Sequence, residues 1–351
     1  MKASSSLYRI VLPIFVCVLA LFCAASTAFA AGYKATVLTA DQAGIGKFTD
    51  PNLQNPWGIS FSTGGDFWIS DNQNGLSTLY TGTGQPQSLV VTIPPGIGNA
   101  KGSPTGTVYN GTNDFKIHGF VASFLFVTED GTISGWYGGS TAFIAVDNSA
   151  SGANYKGMEL ANNGTANHLY VANFFAATVD VFDGNFLPVT LAGKFVDPNL
   201  PAGFAPFNVK NVNGLLYVLY AKQNATKTDA TFCAGCGFVD IFDLNGNFKR
   251  RFASKGSLNA PWGIAVSPSN FGTFSNDVLI ANLGDGKINA FSKIGKFAGQ
   301  LANSTGKVLT FPGLWGLAFG TGGVQGNPNQ LFYTSGPGAY VHGRFGVINA
   351  Q

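Results

Sequence analysis

Asn259-Ala-Pro-Trp-Gly-Ile-Ala-Val266, then Val278-Leu-Ile-Ala-Asn-Leu-Gly-Asp-Gly286, then Lys287-Ile-Asn-Ala-Phe291 reads as strand, loop, strand, Gly-containing turn, strand. The same phrase opens earlier as Asn55-Pro-Trp-Gly-Ile-Ser-Phe61, Phe67-Trp-Ile-Ser-Asp-Asn72 and Leu76-Ser-Thr-Leu-Tyr80. It returns near the C-terminus as Gly313-Leu-Trp-Gly-Leu-Ala-Phe319 and Leu331-Phe-Tyr-Thr-Ser-Gly336. A unit repeated at fixed spacing dictates architecture before any other local argument.

The first strand of each unit carries a Gly or a substitute at Gly58, Gly106, Gly157, Asn208, Gly263 and Gly316, in steps of 48, 51, 51, 55 and 53 residues. Six units near fifty residues, each with short alternating apolar runs, predict an all-β, six-bladed β-propeller with four-stranded blades. In Val179-Asp-Val-Phe182 the valines face one way and Asp180 the other, as a strand packed on one face requires. The last unit supplies only three strands, while Tyr33-Lys-Ala-Thr-Val-Leu-Thr-Ala40 stands alone before the first. Pairing it as the outer strand of the sixth blade closes the ring and protects its edges.

Lys2 and Arg9, the apolar stretch from Ile10 to Ala25 and the small residues of Ala28-Phe29-Ala30 form a secretory signal pattern. The expected domains are therefore a signal peptide over 1–30 and one propeller over 31–351. The expected location is secreted or periplasmic, with no membrane association after cleavage. Without Lys2 and Arg9 the chain keeps 18 basic and 17 acidic residues, a balance that gives no reason to expect nucleic acid as a partner. Charged residues make up 11% of the chain, against roughly 25% in ordinary domains, and Gly, Asn, Ser and Thr take their place. That composition suits short strands joined by tight turns.

Asp50-Pro-Asn-Leu, Thr128-Glu-Asp-Gly-Thr-Ile-Ser-Gly-Trp136, Val181-Phe-Asp-Gly, Asp197-Pro-Asn-Leu, Leu258-Asn-Ala-Pro-Trp-Gly and Gly313-Leu-Trp-Gly-Leu-Ala-Phe-Gly320 occur in one order. Through them the chain resembles, over about 33–350, a family of exported, uncharacterised six-bladed propellers, some of which end in a PEP-CTERM sorting tail. The resemblance implies a fold and an exported location, and it brings no activity. The sorting tail is absent, so release rather than anchoring is expected. More distantly the chain is similar to NHL-repeat and gluconolactonase-like propellers, a likeness of fold, and fold does not imply function.

In this topology the starts of inner strands and the ends of second strands meet at one mouth of the channel. That mouth is expected to collect Trp57, Trp262 and Trp315 with Asp71, Asn72, Glu129, Asp130, Asn173, Asn282 and Asp285, with His342 near it. Trp faces and carboxylate or amide groups could hold a glycan, a small molecule, a protein or a hard cation such as Ca²⁺, which takes six to eight oxygens. The bland alternative is that Trp-Gly packs blade on blade and Asp-Gly makes turns. Glu129-Asp130 is the strongest functional candidate, because two adjacent carboxylates exceed what a Gly131 turn needs. The opposite mouth is expected to receive mostly Gly, Ser and Thr.

A lactonase-like reading asks for carboxylates at inner-strand starts. Here those starts read Pro-Trp-Gly, Pro-Thr-Gly, Tyr-Lys-Gly, Pro-Phe-Asn, Pro-Trp-Gly and Leu-Trp-Gly, with none. His118, His168 and His342 share no ligand spacing, with His168 read as a turn residue. No Gly-x-Ser-x-Gly elbow is present. Cys233 and Cys236 are expected to form a local disulfide in an oxidising compartment. Asn110, Asn163, Asn224 and Asn303 begin Asn-x-Thr sequons. These features favour a monomeric, non-catalytic binding or scaffold protein, with an exported cation-dependent hydrolase or lyase as the alternative.

Overall fold

The computed structural model describes residues 1, 3 and 32–351, so the signal-peptide reading of 1–30 lies outside the described residues apart from Met1 and Ala3. Among the described residues six blade sheets follow one another round a central axis. They are antiparallel except where Phe48–Thr49 adds in parallel to Tyr33–Ala40, and a two-stranded hairpin, Lys116–Ile117 with Phe120–Val121, stands apart. Blade one runs Pro56–Ser60, Phe67–Asp71, Leu76–Tyr80 and Pro86–Thr92 from axis to rim. Blade two runs Pro104–Tyr109, Phe124–Thr128, Thr132–Trp136 and Phe143–Asp147. Blade four is Phe204–Val212, Leu215–Lys222, Gly237–Asp243 and Phe248–Ser254; blade five is Pro261–Val266, Val278–Asn282, Ile288–Phe291 and Phe297–Gln300. Blade three departs from the expected four strands. Its sheet holds only Tyr155–Asn162, Asn167–Asn173 and Thr178–Phe182.

Blade six carries the closure. Leu314–Phe319, Leu331–Ser335 and Arg344–Ala350 are completed at the rim by Tyr33–Ala40, antiparallel, with Tyr33 opposite Ala350 and Ala40 opposite Arg344. Tyr33 also ties this strand to blade five. Its hydroxyl donates to the Phe271 carbonyl and accepts from the Phe274 N–H, both at 2.9 Å. The ring stacks on Phe274 and is buried.

The repeated Gly has one physical reason, which runs round the whole ring. A Cβ on Gly58 would lie 2.7 Å from the Thr105 carbonyl of blade two, and one on Gly106 would lie 2.9 Å from the Met158 N of blade three. A Cβ on Gly157 would overlap Asn208, one on Gly263 would overlap the Trp315 carbonyl, and one on Gly316 would lie 2.6 Å from the Trp57 carbonyl. Inner strands thus pack shoulder to shoulder, each glycine against the next blade. Asn208 fills its position by reaching across instead, its amide donating to the Trp262 carbonyl at 2.7 Å. Pairing with the second strand slips between Pro56 and Ile59, Tyr155 and Met158, Pro261 and Ile264, and Leu314 and Leu317. The residue before each Gly is therefore outside the regular ladder, as in a bulge, and free to turn toward the axis.

The remaining local readings sort themselves. Cys233 and Cys236 are joined in a disulfide. His168 lies inside the strand Asn167–Asn173 and is buried, correcting its reading as a turn residue. Each sequon asparagine accepts from the hydroxyl of its own Thr at 2.7–3.0 Å, so these sequons act as Asx-type turns.

Candidate functional site: the two mouths of the channel

The residues just before the ring of glycines are Trp57, Thr105, Lys156, Phe207, Trp262 and Trp315. Three of them close the mouth where inner strands begin. Trp57 stacks on Trp315 with ring centroids 3.3 Å apart, and Trp262 meets both edge-on at 5.9 and 5.8 Å. All three are under 5% exposed and share a cluster with Phe174 and Phe207. Of the two readings of Trp-Gly, ligand face or blade-on-blade packing, the geometry matches the packing one. The rings are spent on one another, plugging the axis.

Lys156 occupies the same ring position in blade three, and its side chain is wholly buried. The sequence reading passed it over. An ammonium removed from water costs several kcal/mol unless paired, and Glu129 supplies the pair. The Lys156 ammonium also lies 5.4 Å from the Trp57 ring centroid and 5.7 Å from that of Phe174. Glu129 in turn accepts from the Asn72 amide at 2.9 Å, Asn55 donates to Asn72 at 3.1 Å, and the Trp315 indole N–H donates to Asn55 at 3.1 Å. Trp315, Asn55, Asn72, Glu129 and Lys156 thus form one relay across the mouth. Of the predicted site residues, the structure brings together Trp57, Trp262, Trp315, Asn72 and Glu129.

The others serve separate local needs. Asp71 is fully buried, accepts from the Thr78 hydroxyl at 2.7 Å, and burial holds its pKa well above the usual range. Asp130 accepts from the Ser103 N–H at 2.9 Å and the Asn99 amide at 3.2 Å, with burial raising its pKa. Asn173 donates to Asp180, and Asn282 to Asp285 and the Ser257 carbonyl. Asp285 faces Lys287 at 3.5 Å. His342 pairs with Asp41 at 2.8 Å and contacts Gln42, tying blade six to the end of its outer strand. Near the relay, Asp229 is exposed, and its carboxylate accepts from the Ala230 N–H at 2.7 Å. Desolvation raises its pKa and the Lys156 cation opposes that rise.

Ca²⁺ can be tested against these groups. Glu129 is paired with Lys156, Asp71 is buried against Thr78, Asp130 holds the segment at Asn99 and Ser103, and Asp285 holds its own turn. Among the described residues no three of His, Cys, Asp and Glu converge as a ligand set. Each of these four carboxylates is spent on a protein partner rather than turned to a shared point.

The opposite mouth is not the Gly, Ser and Thr surface expected. It holds a cavity of about 380 Å³. Three residues beyond each ring glycine stand Phe61, Tyr109, Leu160, Val266 and Phe319, with Asn211 at the equivalent place in blade four. The five apolar ones line the cavity, with Ile59, Ile264 and Leu317 deeper in. The strand alternation that turns the glycine to its neighbour fixes this register. One ion pair crosses the wall, Lys210 to Glu159 at 2.8 Å, with the Lys side chain 46% exposed and the Glu 12%. Between the mouths, the glycine ring leaves only about 40 Å³. This cavity was legible as the large residue at Gly plus three.

No family model matches the sequence. An uncharacterised protein of Acanthamoeba polyphaga mimivirus is 32% identical over 328 residues, covering 90% of this chain and 80% of the viral protein. A second uncharacterised protein of the same virus is 33% identical over 302 residues, covering 82% and 79%. Among solved structures, a streptogramin B lyase aligns with TM-score 0.52 at 10% identity, covering 91% of this chain and 98% of its own. A gluconolactonase from Xanthomonas campestris aligns with TM-score 0.54 at 12% identity, covering 86% and 87%. At such identities the likeness is one of propeller fold.

Proposed function

This chain belongs to the propeller family that includes those two mimivirus proteins, and we propose that it is a non-catalytic binding protein whose ligand enters the mouth opposite the tryptophans. The observation that carries the reading is the 380 Å³ cavity walled by apolar side chains and crossed by one ion pair. Small-molecule sites typically have such volumes, apolar walls and a few placed polar groups. The ligand class that fits is a small amphipathic molecule, with its apolar body against Leu160, Val266 and Phe319 and a polar head toward Glu159 and Lys210. Glu159 is largely buried and Lys210 is not, so a polar head that replaces the ammonium beside Glu159 must itself be a hydrogen-bond donor or a cation. Export of a monomer is part of the same proposal, supported by the leader pattern of the sequence.

The test uses anilinonaphthalene sulfonate, an apolar anion with environment-sensitive fluorescence. The parent protein should bind it saturably, and Leu160→Arg, which puts a charge in the wall, should weaken that binding at least tenfold. Retention of parent affinity by the folded Leu160→Arg variant would overturn the assignment.

A further inference from the structure

Blade three lacks its rim strand, and the place for it is open. Val189 N–H donates to the Val181 carbonyl at 2.8 Å and Asp183 N–H to the Leu187 carbonyl at 2.9 Å, so a fourth strand begins. It then leaves. Lys194 and Phe195 both take left-handed backbone angles, with φ of 54° and 53°, and Phe195 packs on Tyr170 and Phe242, drawing the chain toward blade four. Beside Thr178–Phe182 this leaves a groove of about 630 Å³, bounded by Val146 of blade two and by Leu191 and Lys194. Because the Val181 carbonyl points to the rim, strand alternation turns the Val179 N–H and C=O the same way. These groups have no ladder partner among the described residues.

We propose that this edge takes an extended peptide of a partner protein, added as the missing fourth strand of blade three. Strand addition supplies backbone hydrogen bonds for affinity and side-chain pockets for selectivity. The molecule already completes one blade in this manner, with Tyr33–Ala40 joining blade six from the far end of the chain. The side chains define the peptide. Val146 and Leu191, only partly buried, and Pro188, exposed, line the groove and ask for apolar residues, and Lys194 asks for a carboxylate, since it has no ion pair among the described residues. The free edge spans about three residues, near 10 Å of strand. That suits a peptide and falls far short of the roughly 1,200 Å² a stable dimer buries.

The probe is a fluorescent, capped pentapeptide, Thr-Val-Glu-Val-Thr, titrated against the full chain by polarisation. Saturable binding is expected, with at least tenfold loss when the two Val amides of the peptide are N-methylated. Lys194→Glu should weaken it and restore binding of the same peptide with Lys in place of Glu. Val179→Pro removes the outward N–H, a change edge strands tolerate, and should also weaken it. Absence of binding, or equal binding of the N-methylated peptide, would overturn the proposal. So would a concentration-dependent dimer, seen by sedimentation, that Val179→Pro dissolves without any peptide binding.

Discussion

A methyl group on Gly263 has nowhere to go, because its place is occupied by the backbone oxygen of Trp315 in the next blade. Backbone oxygens cannot swing aside as a flexible side chain does. Gly263→Ala should therefore lose about 3 kcal/mol or more, the range of severe core defects, or fail to fold. Gly164→Ala is the control. Gly164 has a φ of +95° but open space where its Cβ would stand, so only backbone strain of about 1–3 kcal/mol is expected. Urea unfolding midpoints of the two variants make the comparison. Asp240 gives a second residue-scale prediction. Arg251 of blade four bridges Asp240 of the same blade and Asp197 of the segment that leads into it. Burial pushes the Asp240 pKa from 3.8 up to about 7, opposed by Arg251 and reinforced by Asp197. Between those values the folded state holds the proton and the unfolded chain does not, so stability falls as pH rises. The gain is full below about pH 4 and is lost as pH passes about 7, with a slope of at most roughly 1.4 kcal/mol per pH unit. Asp240→Asn carries no such proton, and its urea midpoint should decline less from pH 4 to 7.5 than the parent's. An equal decline in both would show that other groups set the slope.

Among elements, the rim strand Tyr33–Ala40 is the one whose loss the ring should feel most. Its removal strips the backbone ladder from Arg344–Ala350 and uncovers the pocket that Tyr33 fills beside Phe271 and Phe274. A truncated chain should melt well below the parent in a calorimetric scan, and an unchanged melting temperature would deny the strand its closing role. This element was readable beforehand because an alternating run with no partner in its own repeat must pair elsewhere. The blade count was equally readable, since the ring glycines are set by steric contact and cannot drift. Two features were less so. Thr178–Phe182 reads as an ordinary third strand, and nothing in Pro188-Val-Thr-Leu191 announces that the next segment will turn away at Lys194 and Phe195. Lys156 was hidden by its type. A lysine at a strand start reads as surface until Glu129, from the neighbouring blade, is known to face it.

For the whole molecule, the two ends of the axis do different work, and the repeat itself explains why. One register of the inner strands places Trp57, Phe207, Trp262 and Trp315 at the residue before the ring position; another places Phe61, Tyr109, Leu160, Val266 and Phe319 three residues after it. The first set points into an axis already narrowed by the glycines and jams. The second set stands where the strands have splayed, and leaves room. Trp315 touches the ring systems of Trp57, Phe207, Trp262 and Tyr340, so it joins blade six to blades one, four and five. Trp315→Ala should cost about 3–5 kcal/mol, as large aromatic truncations in cores do, and should do so in a single cooperative transition because several blades share the loss. Trp315→Phe keeps most of the packing and should fold. Its affinity for anilinonaphthalene sulfonate should equal the parent's, since only about 40 Å³ of channel links the plug to the opposite cavity. Leu160→Arg should show the reverse pattern, with dye binding lost and the urea midpoint little changed, because Leu160 is only half-buried at the rim. Loss of dye binding in Trp315→Phe would mean that the two mouths are coupled through the glycine ring.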